Sequence, residues 1–127
     1  FLAFAFSPDN RFLLGGEDNG IVWFWDAQTG KQVHKLVGHT AIVHSVSFSS
    51  EGRFVLSGSG DKTARMWDAQ TGQELKQFLG HTQEVRAAAF SPDGKLILTG
   101  SYDGTARLWD FSGKPVRSLK MMPECIW

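Results

Sequence analysis

The chain has 127 residues, 42% of them apolar, with 13 Lys and Arg balanced by 13 Asp and Glu. A chain of this length and hydropathy can bury one modest core and is expected to form one domain, and its zero net charge argues against a nucleic-acid or anionic-membrane partner. The one cysteine, Cys125, can form neither an internal disulfide nor a zinc site, which suits a reducing, cytoplasmic setting.

The first strand is expected at residues 1–6, "FLAFAF", an apolar run far short of a bilayer span and without the basic flank of a signal peptide. The chain does not open on Met, so it is expected to be a piece of something longer. Turn signals then arrive about every ten residues: Asp9-Asn10, Asn19-Gly20, Thr29-Gly30 and Gly38-His39. The short runs between them, rich in Phe, Val, Leu, Ile, Thr and Trp, predict strands at 11–16, 21–25 and 32–37. The same series restarts with strands expected at 43–48, 53–58, 63–67 and 74–79, and again at 85–90, 95–100, 105–109 and 115–120. No segment carries helical periodicity long enough to compete.

The restart is a true repeat. Trp-Asp stands at Trp25-Asp26, Trp67-Asp68 and Trp109-Asp110, in steps of 42, and Gly38-His39 and Gly80-His81 keep the same step. The phrases "GSGDKTARMWD" at 58–68 and "GSYDGTARLWD" at 100–110 agree at eight of eleven positions. The second and third strands of each period are apolar on both faces, so each small antiparallel sheet needs a copy of itself on either side; a radial stack supplies that. Gly-His, Ser/Thr-Gly-Ser-x-Asp and Trp-Asp at a fixed period together resemble the WD-repeat (WD40) β-propeller family, over essentially the whole chain.

The resemblance implies an all-β fold of three four-stranded antiparallel blades, about 1–38, 39–80 and 81–122, with 123–127 opening a further blade of a propeller of about seven blades. Ile126 aligns with Val43 and Val85, although Met121-Met122 stands where a third Gly-His would fall. The family's usual role is a rigid platform for assembling other proteins, so other proteins or peptides are the expected partners, with no cofactor. The exposed faces of the end blades are expected to be covered by further blades or by self-association.

A Trp trapped between blades needs an acceptor for its indole N–H, because a buried donor left unpaired costs roughly 1–3 kcal/mol. The resemblance implies a chain of side chains from Trp through Ser or Thr and His to Asp: His39, Ser57, Asp61 and Trp67 in the second blade, and His81, Thr99, Asp103 and Trp109 in the third. Ser, His and Asp are also the ingredients of a hydrolase triad. Their recurrence at one spacing beside a structural Trp, with no G-x-S-x-G elbow, favours a fold requirement. "SGSGDKT" lacks the end of a phosphate loop and "GGEDNG" the first Asp of a calcium loop. His34, His39 and His44 fall on different strands or turns, which argues against a shared metal, and His34 is expected to be solvated.

The first blade departs from the pattern. Asn19 replaces Asp61 and Asp103, Gly15 replaces Ser57 and Thr99, and no Gly-His precedes it. Trp25 is therefore expected to lack the Ser/Thr–His–Asp chain, and this blade to be the least protected. Trp23, at the position of Arg65 and Arg107, reads either as a packing residue or as an exposed aromatic anchor. The family's contact face maps onto Ile42, His44, Glu84, Arg86, Asp18, Gly60 and Tyr102. Tyr102 is the best single candidate, being a large ring at a turn tip, whereas Glu84 and Arg86 could instead form a surface ion pair. The alternative from another class is a regulatory propeller fused to a kinase or protease, or a propeller enzyme whose reactive groups lie outside this segment, because the inner strands offer only His44 and Arg86.

Overall fold

A computed structural model of the chain describes residues 3–120. The expected start of a further blade at 123–127, the Met121-Met122 junction and Cys125 lie outside the described residues.

Twelve strands form three antiparallel sheets. The first holds β1 (Ala3–Phe6), β2 (Phe12–Gly16), β3 (Val22–Asp26) and β4 (Gln32–Leu36). The second holds β5 (Val43–Phe48), β6 (Phe54–Ser59), β7 (Ala64–Asp68) and β8 (Glu74–Phe78), and the third holds β9 (Val85–Phe90), β10 (Leu96–Ser101), β11 (Thr105–Asp110) and β12 (Pro115–Lys120). Strands follow one another in chain order across each sheet, every neighbour joined by a hairpin, as short strands punctuated by turn residues require. The second and third strands start and end about one residue later than the sequence predicts.

The turns are built by side chains standing in for strand pairing. Asp9 Oδ1 accepts from the backbone N–H of Arg11 at 3.0 Å while the Ser7 hydroxyl accepts from Phe12 N at 2.9 Å; Asp93 and Ser91 repeat this with Lys95 and Leu96. The Asp of each Trp-Asp pair closes the next turn: Asp68 Oδ1 accepts from the backbone of Gln70 at 2.8 Å and Thr71 at 3.2 Å, and Asp26 and Asp110 do likewise in their sheets. The two letters of the motif thus serve different purposes, Trp67 and Trp109 facing the core and the Asp capping a turn.

Sheets stack through their first strands: β5 packs on β1 and β2, and β9 on β5 and β6. A Cβ on Gly16 would meet the Val43 side chain at 2.7 Å, and one on Gly58 would meet that of Val85 at 3.0 Å, so each glycine leaves room for the next sheet's leading valine. One apolar core, including Leu14, Phe24, Val46 and Trp67, joins sheets one and two; a second, including Leu56, Met66, Phe78 and Trp109, joins sheets two and three. Among the described residues the three sheets do not close into a ring.

Candidate functional site

Trp67 and Trp109 are fully buried. Trp67 Nε1–H donates to Ser57 Oγ at 2.9 Å, the Ser57 hydroxyl lies 2.7 Å from His39 Nε2, and His39 Nδ1 lies 2.8 Å from Asp61 Oδ2. The third sheet reproduces these distances with Trp109, Thr99, His81 and Asp103. A single proton arrangement satisfies every group. The indole can only donate, so Ser57 accepts from it and gives its own proton to Nε2, leaving Nδ1–H for the ionised Asp61. Each aspartate also holds its own hairpin: Asp61 Oδ1 accepts from Thr63 N at 3.0 Å and Thr63 Oγ1 at 2.6 Å, and its Oδ2 takes Thr40 N at 3.1 Å.

Burial alone would push the Asp61 carboxyl up, but hydrogen bonds from His39 and Thr63 outweigh it and hold the group well below the usual carboxylate range. Asp103 behaves in the same way, with Thr105 and His81 as its donors. Burial lowers the His81 imidazole despite the opposing pull of Asp103.

The first sheet carries other residues at these positions. Gly15 has no hydroxyl to place before Trp25, and Asn19 Oδ1 accepts only from the Ile21 backbone among its described bonds, at 3.1 Å. Trp23 is half-buried, its indole N–H donating to Glu17 and Lys35 Nζ lying 5.5 Å from its ring centre. At the matching position Arg65 instead pairs with Glu74 at 2.8 Å. His34 is not solvated: its Nε2 meets the Ala69 carbonyl at 3.0 Å and its ring stands edge-on to Phe24 at 5.1 Å. β4 is an edge strand, but the neighbouring sheet's hairpin reaches over it and covers this one side chain.

Six of the residues mapped to a contact face come together where sheets two and three meet. His44 and Arg86 each occupy a β-bulge near the start of the leading strand, which turns their side chains away from regular pairing. Glu84 Oε1 lies 2.5 Å from His44 Nε2, and Arg86 Nη1 donates to His44 Nδ1 at 2.6 Å. Arginine carries donors alone, so Nδ1 accepts and the imidazole proton sits on Nε2, facing Glu84. His44 therefore separates Glu84 from Arg86, and the direct ion pair considered between those two is not formed. The Arg86 guanidinium lies 5.1 Å from the centre of the Tyr102 ring, which is 44% exposed.

Gly60 explains how Glu84 reaches across. It stands where Tyr102 and Asp18 stand in the other sheets, and a Cβ there would meet Ile42 at 2.9 Å and the Glu84 carboxylate at 3.1 Å. Arg86 Nε is buried without a hydrogen-bond partner among the described residues. Asp18 is exposed on the first sheet's turn, and no described contact joins it to this cluster. Sequence reasoning missed the His44 bridge, because its partners lie about one repeat away.

A family model, "WD domain, G-beta repeat", matches residues 2–26, 30–68 and 72–110; the second and third stretches each join the outer strand of one sheet to the first three strands of the next. Repeats of this kind are generally protein-interaction scaffolds. An uncharacterized WD repeat-containing protein of Nostoc sp. is 49% identical over 44 residues, which is 35% of this chain and 3% of that relative's own length. With three matched stretches covering most of its length and running through three four-stranded sheets, the chain belongs to the WD domain, G-beta repeat (WD40) family.

Proposed function

We propose that the chain is a non-catalytic scaffold that receives a protein or peptide partner on the face formed by His44, Glu84, Arg86 and Tyr102. The observation that carries this reading is the stacking of the Arg86 guanidinium on an exposed tyrosine ring. An aromatic ring at a turn tip offers contact area at small entropic cost, and the charge of the guanidinium beside it favours a partner's carboxylate.

Hydrolysis by Ser57–His39–Asp61 is disfavoured by access, not by geometry. The Ser57 hydroxyl already accepts the Trp67 indole, and the residue has no exposed surface on which a substrate could approach. The ends of the stack favour covering by further blades or by a second copy: Phe4 and Phe6 are about 60% exposed on the first sheet, beside a cleft of about 360 Å³ lined by Leu13 and Trp25.

Affinity capture from cell extract tests the face. Tyr102→Ala and Arg86→Ala should each lose the proteins retained by the unmodified chain, whereas Gln28→Ala, on an exposed turn of the first sheet, should keep them. Full retention by folded Tyr102→Ala and Arg86→Ala chains would refute the assignment.

A further inference from the structure

The two junctions between blades are not equivalent at the end of the strands opposite the His39 and His81 networks. At the junction of sheets two and three, Phe111, in the turn after β11, lies 5.5 Å from Phe54 and 5.9 Å from Phe90, centre to centre. One repeat earlier the same position is Ala69. There Phe24 reaches Phe12 at 5.2 Å and Phe48 at 5.6 Å from the first sheet's side, while the space on the Ala69 side stays open. The result is a cleft of about 360 Å³ whose apolar wall is Phe12, Phe24, Val33 and Ala69. His34 closes one side, fixed by its bond to the Ala69 carbonyl, and Arg53 is the one fully charged residue lining it.

We propose that this cleft is a second docking site, which takes the phenyl ring of a phenylalanine in a partner segment carrying an acidic residue beside it. The choice of ring follows the molecule itself: Phe111, at the position of Ala69 one blade on, lays a phenyl ring against Phe54, the counterpart of Phe12, which lines the cleft. The size agrees: an apolar cavity of about 150 Å³ accommodates benzene, so 360 Å³ holds a phenyl ring with its flanking backbone. The acidic neighbour follows from Arg53, whose charge is unmatched by any carboxylate among the lining residues. This surface is separate from the Tyr102 face and does not depend on it.

The test is fluorescence anisotropy of the full chain titrated into a labelled, end-capped peptide Gly-Phe-Asp-Gly. The unmodified chain should bind one peptide, saturably, and the Gly-Ala-Asp-Gly peptide should not bind. Ala69→Phe supplies the ring internally and should weaken binding at least tenfold while raising the melting temperature; Arg53→Gln should weaken it several-fold. Phe111→Ala, which opens the matching space between sheets two and three, should bind two peptides. Tyr102→Ala should bind as the unmodified chain does, so failure of the other face leaves this result standing. Unchanged affinity in folded Ala69→Phe overturns the proposal, as does a folded Phe111→Ala chain that still binds one peptide. Should either variant not fold, loss of binding on changing the peptide's Phe to Ala together with weakening in Arg53→Gln decides for it, and equal binding of the two peptides decides against. A cleft filled by a second copy of the chain would appear as dimerisation abolished by Ala69→Phe with no peptide bound, and that outcome also overturns it.

Discussion

The first blade and the second share strand order and the Trp-Asp step, yet they differ in the polar side chains set around it. In the second, Trp67 is tied through Ser57 and His39 to Asp61, and that carboxylate also clamps the Thr63 turn and the Thr40 backbone. In the first, Gly15 and Asn19 stand at the hydroxyl and carboxylate positions, and Trp23 is held on the surface by Glu17 and Lys35. A repeat can therefore keep its outline without the hydroxyl and carboxylate of that chain, because apolar packing against the next blade sets the outline and buried hydrogen bonds set how rigidly it is held.

The largest contrast should come from the carboxylates. Asp61→Ala leaves the buried His39 N–H and two backbone donors without acceptors and should cost about 2–4 kcal/mol in urea denaturation, whereas Asn19→Ala, which removes one exposed bond, should cost about 0.5 kcal/mol. Equal losses would break the comparison. Ser57→Ala should follow at about 1–3 kcal/mol, since it strands both the indole and the imidazole. Its signature is an upfield-shifted or broadened Trp67 indole N–H resonance, while that of Trp25 should not move.

Acid should separate the blades further. The folded Asp61 and Asp103 carboxyls lie below their unfolded values, so the unfolded chain takes up protons first; their contribution is present above about pH 4 and is lost as pH falls toward the folded values. His81 is lowered too, so its share is full above about pH 6.5 and declines as pH drops toward its folded value. All three groups belong to blades two and three. Exchange protection there should fall between pH 7 and pH 3 by more than in blade one, and a uniform fall would count against the account. The smallest effect expected is a gain: Lys62 has φ of 75° where Gly20 and Gly104 stand in the other blades, so Lys62→Gly should stabilise the chain by about 0.5–1 kcal/mol.

Much of this was legible before any coordinates. The interval of 42 and the turn residues placed eleven strands to within about a residue, and the end of the first, because short strands bounded by Gly, Asn and Asp leave little freedom of register. What escaped depends on side chains meeting across a whole repeat. His34 was misjudged because an edge strand is normally wet, and nothing local reveals that the next blade's Ala69 carbonyl lies over it. The His44 bridge joins residues 40 and 42 positions apart through two β-bulges that no local pattern announces. The exchange of Phe111 for Ala69 gains its meaning only once the turn is seen against its neighbouring sheet.

Native-state amide hydrogen exchange measures the central difference most directly. The amides of Leu14 and Phe24 should exchange faster than their counterparts Leu56 and Met66, by about tenfold for each 1.4 kcal/mol of extra protection, and Ser57→Ala should erase the gap. Equal or slower exchange at Leu14 and Phe24 in the unmodified chain would show that the tryptophan-to-aspartate linkage does not set blade rigidity.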